Sequence, residues 1–236
     1  MNTTLLDRLR SFQIPPATPI VTGHHIVARL MGVDFDGIFN SPEFGFARPF
    51  DPRFGKMMLR TASHLLGGDA CGRFAFTELS EMSVLLDHRS VSSRWTDATD
   101  LQSYLVAIAA SKMSLEVEEE VVFTCKLYSF SKSDLAVAYF LWRRQEAAVA
   151  ALDRYCQYVL AKDSANPEGV AKLIDGLGLH EKEEILRQNN IEYKDLPAWQ
   201  RQGAAVHLTD GDNRVAVETN LPHESAYGPY LQQYID

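Results

Sequence analysis

With 236 residues, 46% of them hydrophobic, the chain can bury one substantial core, and this composition excludes a disordered protein. A formal net charge of −8 argues against indiscriminate binding to phosphate backbones, which needs a dense positive face, and leaves room only for a local basic patch. Charge interrupts the apolar runs well short of a bilayer span, and the N-terminal MNTTLLDRLRSFQ lacks a signal-peptide apolar region, so a soluble cytoplasmic protein without membrane contact is expected.

Residues 25–35 (HIVARLMGVDF) are an apolar, partly alternating run between Gly23 and the Asp36-Gly37 pair, which predicts a strand. After a loop through Pro42 and Pro49, Phe54, Met58, Leu65 and Leu66 recur at roughly helical spacing and stop at Gly67-Gly68, which predicts a helix over 51–66. Two short runs, Arg73 to Thr77 and Met82 to Leu86, flank the break Leu79-Ser80-Glu81 and predict a hairpin. A helix over 101–115 and a strand over 121–130 follow. Strand, helix, strand, strand, helix, strand is the split βαβ order of a ferredoxin-like sheet, an architecture shared by many palm domains. Beyond it, a long helix runs to Lys162 with Ser131 or Ser133 as its cap. Asn166-Pro167 opens a short helix and Leu179 to Gln188 makes another, while VHLTDGDNRVAVET reads as a hairpin with Gly211 in its turn. The expected fold class is α+β, a ferredoxin-like palm (βαββαβ) with a C-terminal helical extension and hairpin. Its parts are a palm at 20–130, a packed helical extension at 131–202, and a hairpin and tail at 203–236.

Cys71, Cys125 and Cys156 lack CxxC spacing and read as buried free thiols. His24, His25 and His64 have no partners at ligand spacing and are assigned to no metal. Arg53, Lys56 and Arg60 share one helix face, which reads first as a charged solvent face. Tyr155, Tyr158 and Trp142 have spacings suited to core packing.

Three separated blocks, ARPFDPRFGKMM, YSFSKSDLAVAYFLWRRQEA and EKEEILRQNNIEYKDLPAWQRQG, resemble the tRNA-His guanylyltransferase-like family, the 3'-to-5' nucleotide-adding polymerases, especially its bacterial members. The match runs in register from Pro19 to Gly203. The resemblance implies a two-metal palm in which carboxylates hold divalent ions that activate a hydroxyl and stabilise the leaving phosphate. It also places the first metal aspartate in an Arg-x-Asp-Gly pattern, which here is Arg29, Leu30, Met31 and Gly32. A thioether does not ligate a hard cation such as Mg²⁺, which takes oxygen donors. The second metal aspartate of the family lies in a Ser-Asp-Glu turn that here reads Leu79-Ser80-Glu81, so only the glutamate is kept. Met31 and Ser80 are therefore expected side by side on the active face of the sheet.

Substitute ligands are few. Asp34 points opposite to Met31 if the strand continues, and Asp36 would lie roughly 16 Å away along an extended chain. Glu78 and Glu81 remain as weak candidates for a single cation. The resemblance also maps family substrate contacts onto Ala148, Ala150 and Asp153, palm-strand polar residues onto Thr124 and Lys126, and an asparagine onto Glu183. By contrast, framework positions such as Phe46, Pro49, Phe50, Tyr139, Phe140, Trp142, Ile191, Leu196 and Trp199 match. Arg29, Gly32 and Lys182 are the nucleotide-binding candidates, with Arg29 and Lys182 set to hold a triphosphate. Arg48, Asp51 and Arg143 are expected to pair and organise the palm against the long helix.

Two functions fit this pattern. One is a catalytically inactive relative that binds a nucleotide, an RNA end or a protein partner, with no cofactor required. The other is a divergent active, metal-dependent 3'-to-5' nucleotidyltransferase acting on tRNA 5' ends with Mg²⁺ and GTP or ATP, through Asp34, Asp36, Glu78 or Glu81. Loss of both metal aspartates favours the first, because it removes the means of neutralising the reacting phosphates. A purely structural oligomeric protein is a third. The family forms tetramers, which implies a homo-oligomer, and the tail from Leu221 to Asp236 is expected to pack on a neighbouring subunit.

Overall fold

The computed structural model describes residues 4–162, 166–209 and 214–235. Its elements are α1 (Leu5–Arg10), β1 (His25–Val33), α2 (Phe35–Asn40), α3 (Pro52–His64), β2 (Gly72–Glu78), β3 (Glu81–Leu86), α4 (His88–Arg94), α5 (Ala98–Val117) and β4 (Val122–Phe130). They continue with α6 (Ser133–Ala161), α7 (Pro167–Asp175), α8 (Leu179–Gln188), α9 (Ala198–Gln202), β5 (Ala204–Leu208), β6 (Val215–Glu218) and α10 (Glu224–Ile235). The strands form one sheet in the order β4-β1-β3-β2-β5-β6, with every pairing antiparallel. Its first four strands carry the expected ferredoxin-like order, with α3 and α5 as the two crossovers. The turn holding Gly211, between β5 and β6, lies outside the described residues.

Strand alternation divides β1 between two cores. Ile26, Ala28 and Leu30 pack with Phe54 and Met58 of α3 and Leu105 and Met113 of α5. Val27 packs on the opposite face with Tyr139 and Phe140 of α6 and Tyr227, Leu231 and Ile235 of α10. A third cluster, Phe50, Leu152, Tyr155, Cys156, Ile174 and Leu186, ties the far half of α6 to α7 and α8. Among the described residues no helix is long and apolar enough to cross a membrane.

Several expectations are corrected. The opening strand ends at Val33, not at residue 35, because Asp34 adopts a left-handed conformation (φ 55°) and turns the chain into α2. Asp36 therefore lies on a helix, where it pairs with Arg154 at 3.2 Å. Neither Ser131 nor Ser133 caps α6; Lys132 holds the cap position and makes no side-chain cap bond. The tail is not a free arm for a neighbour, since α10 lies against α6 of its own chain and buries Tyr227, Leu231 and Ile235 there. Arg48, Asp51 and Arg143 do not pair with one another. Asp51 instead caps α3, accepting from the Arg53 amide at 2.7 Å and the Ala47 amide at 2.7 Å, while Arg48 lies over the Phe39 ring. Burial works to raise the Asp51 carboxyl, but these bonds and the Arg53 guanidinium outweigh it and hold it at about 2.

The exposed basic stripe is a paired solvent face, with Arg53 on Asp51 and Arg60 on Glu116. Cys71 and Cys156 are buried and Cys125 is half-buried, and all three thiols are free. Burial pushes the Cys125 thiol up to about 12 and Cys156 up to about 11.

Candidate functional site

The hairpin between β2 and β3 meets the end of β1. Met31 pairs with Glu81 across the sheet, and the Gly32 amide donates to the Ser80 carbonyl at 2.8 Å. Met31 and Ser80 are thus brought side by side at one end of the sheet. Gly32 has a packing reason: a Cβ there would collide with the ring of Phe35, which is buried. That close approach explains the glycine without a ligand.

The face of this corner is set by alternation. Arg29 follows Val27 on the α6 side, and Glu81 and Ser83 share that side with Leu85. The two-residue turn Leu79-Ser80 also sets Glu78 directly opposite Glu81. Like charges facing across a strand pair repel, so the hairpin demands a cation.

Arginine supplies it. From α6 the guanidinium of Arg143, only 1% exposed, reaches both carboxylates, bonding to Glu78 and, at 2.7 Å, to Glu81. From β1, Arg29 Nε donates to the same Glu81 oxygen at 2.8 Å. Both guanidiniums lie near the Trp142 ring, 5.4 Å for Arg29 and 5.3 Å for Arg143 from its centroid. Tyr139 closes the group from behind, its hydroxyl 3.2 Å from Ser83 Oγ. Glu78 Oε2 and Arg143 Nε are buried and find no hydrogen-bond partner among the described residues. Burial, with the Glu81 charge added, pushes the Glu78 carboxyl up, against the pull of Arg143.

These donors do not fit a pair of divalent ions. Met31 offers sulfur and Ser80 a neutral hydroxyl, and both glutamates already carry guanidiniums. Among the described residues no group of three or more His, Cys, Asp or Glu comes together to hold a metal. The Glu78 and Glu81 pair proposed for a single cation is filled from within.

The triphosphate candidates Arg29 and Lys182 are not brought together. Lys182 of α8 pairs with Asp153 of α6 at 2.5 Å, whereas Arg29 is bound at Glu81 beside Arg143. Ten helical residues separate Arg143 from Asp153, roughly 15 Å along α6. Asp153 thus neutralises Lys182. His24 and His25 have structural partners: His24 Nδ1 meets Ser129 Oγ at 2.8 Å, and the His25 and His88 rings stand 6.0 Å apart. Trp142 and Tyr155 are buried, and Tyr158 is half-buried.

Sequence reasoning missed the four-membered ion cluster, although half of it was readable. Two residues between Glu78 and Glu81 are enough to place the acids opposite each other. Nothing local identifies Arg143 as their partner, 62 residues beyond Glu81.

Comparison with known proteins agrees with the fold. The family model described as tRNAHis guanylyltransferase, Thg1, matches residues 6–142. A bacterial tRNA(His) guanylyltransferase (Thg1)-like protein solved in complex with ATP superposes with a TM-score of 0.75 at 18% identity, covering 98% of this chain and 99% of that one. A bacterial Thg1-like protein in complex with GTP gives 0.66 at 18% identity, with 96% and 94% covered. The Saccharomyces cerevisiae tRNA(His) guanylyltransferase gives 0.72 at 19% identity, with 92% and 96% covered. No curated protein matches the sequence with significance. At these identities the superpositions speak for the fold, and it is the sequence match over more than half of the residues that makes the chain a member of the Thg1 family.

Proposed function

We propose that this chain is a Thg1-family protein that has lost nucleotidyl transfer and keeps its palm as a scaffold for binding a nucleotide or an RNA end. The observation that carries the reading is the corner of the sheet where Met31 and Ser80 adjoin, with Arg143 and Arg29 seated on Glu81, the one acid kept from the metal turn. In-line transfer of a phosphoryl or nucleotidyl group needs its charge neutralised by positioned metals, typically two. Glu78 and Glu81 are committed to arginine, as Asp36 is to Arg154, and Asp34 stands exposed where the chain turns into α2, so among the described residues the corner offers no pair of free carboxylates to position them.

The test is an incorporation assay with GTP or ATP, Mg²⁺ or Mn²⁺, and a tRNA with an activated or truncated 5' end. No nucleotide is added above background. Metal-dependent incorporation that vanishes in Glu81→Ala would overturn this reading and establish an active tRNA nucleotidyltransferase. Met31→Asp with Ser80→Asp does not restore transfer, because Arg143 and Arg29 stay in place. The same reading takes the protein as a cytoplasmic homo-oligomer. Light scattering at micromolar concentration that returned only 26.5 kDa would remove the assembly.

A further inference from the structure

A second concave region lies farther along α6, where α2, the Arg48-Pro49 loop and α7 close around its C-terminal half. It encloses about 520 Å³ and is lined by Asp36, Phe39, Arg48, Arg154, Tyr158 and Lys162. That volume falls in the range of small-molecule sites. Among the described residues three cations face one carboxylate. Arg154 pairs with Asp36 at 3.2 Å, and neither Arg48 nor Lys162 has a carboxylate partner among the described residues. Arg48 and Lys162 are held against rings rather than against acids, and Arg154 against both. Arg48 lies 4.9 Å and Arg154 5.7 Å from the Phe39 centroid, and Lys162 lies 4.4 Å from that of Tyr158. A cation on an aromatic face keeps its charge available to an anion while its stem is fixed in place.

We infer that this cleft binds the di- or triphosphate group of a small ligand, directly and without a divalent metal, through Arg48, Arg154 and Lys162. The inference rests on the reading that the scaffold binds a phosphate-bearing ligand, and it moves that binding away from the palm corner. Arg154 stands eleven residues beyond Arg143, on the same side of α6 and roughly 16 Å farther along it. Linked phosphates suit the arrangement better than a single one, because Arg48 comes from the loop before α3 while Arg154 and Lys162 stand eight residues, roughly 12 Å, apart at the C-terminal end of α6. A duplex backbone suits it poorly, since the chain carries a net charge of −8. Phe39 carries two arginines and Tyr158 a lysine, so recognition falls on the phosphates and not on a stacked base. Asp36 opposes the ligand, and this makes the sign of its removal diagnostic.

The experiment is calorimetric titration of the whole protein with inorganic pyrophosphate, ATP and adenosine, each in EDTA. Pyrophosphate and ATP bind and adenosine does not. Arg48→Ala and Lys162→Ala each weaken binding about tenfold, as expected for loss of one charge-assisted contact. Asp36→Asn tightens it severalfold. Arg48 and Lys162 are exposed, so their variants fold, and equal thermal midpoints confirm it. Three results overturn the inference: no pyrophosphate binding by the unaltered protein, binding that requires Mg²⁺, or full affinity retained in Arg48→Ala with Lys162→Ala. All three leave the loss of transfer standing, because that is read by incorporation. ATP binding that survives both cleft variants and fails in Arg29→Ala returns the ligand to the palm corner. Adenosine binding as tight as ATP would replace phosphate recognition with base recognition and also sinks the proposal.

Discussion

The two faces of the sheet are built from the same strands by opposite means. Toward α3 and α5, Ile26, Ala28, Leu30, Met58 and Met113 make an apolar core whose stability follows from buried area. Toward α6, the corner with Arg29, Glu78, Glu81 and Arg143 buries charge that is tolerable only because each group has a partner. The apolar face loses in proportion to what is removed, while the charged face turns on whether partners are removed singly or together. A buried ion cluster of this kind is a poor stabiliser and a strong constraint, since it resists removal of the cation its acids share.

The largest effect is expected at Arg143. Arg143→Met leaves Glu78 and Glu81 facing each other without their shared cation and costs about 3–5 kcal/mol in urea unfolding. Adding Glu78→Gln to that variant recovers part of the loss. If the double variant is no more stable than the single one, the two groups do not act as a unit. On the apolar face, Met58→Ala costs about 2–4 kcal/mol from lost contacts and cavity. Its effect adds independently to that of Arg143→Met, and a coupling well above about 0.5 kcal/mol would show that the two faces communicate.

Asp51→Ala removes the α3 cap and costs about 1–2 kcal/mol at neutral pH. Because the folded Asp51 carboxyl is held at about 2, below its ordinary value, its contribution is present above the usual carboxylate range. It is lost as pH falls from about 4 toward 2, so the gap between Asp51→Ala and the unaltered protein should narrow over that window. Glu78→Gln gives the smallest change and the opposite sign. The folded Glu78 carboxyl is raised, so its charged form is disfavoured by the fold, and what stability it lends is full below about pH 4 and lost as pH rises. Glu78→Gln is therefore expected to stabilise the protein slightly at neutral pH, with the gain shrinking in acid. A loss at neutral pH instead would mean that the bond to Arg143 outweighs burial.

Much of the architecture was legible because it is written in short-range pattern. The alternation of residues 25–33, the two-residue break at Leu79-Ser80 and the helical spacing of Phe54 and Met58 each specify their element locally. The adjacency of Met31 and Ser80 followed from the same register. What could not be read was decided by distant contacts. Helix α2 starts at Phe35 because Asp34 takes a left-handed turn that favours no obvious motif, and α10 carries Gly228 and Pro229, which argue against a helix. It forms because burial of Tyr227 and Leu231 against α6 overrides propensity. The pairing of Lys182 with Asp153, which withdraws the lysine from any triphosphate beside Arg29, likewise joins two helices across 29 residues and leaves no local trace.

The position of α10 also bears on how the molecule is made. Phe74 of β2 is covered by Phe140 at 5.3 Å and, on another side, by Tyr234 at 5.2 Å. At a ribosomal speed of about 5–20 residues per second, Tyr234 emerges roughly 10–30 s after the strand it covers. During synthesis the sheet therefore waits with one apolar face partly bare, first closed by α6 and only then by α10. That interval is when a chaperone has most to hold, and a stop codon just before residue 221 would prolong it indefinitely.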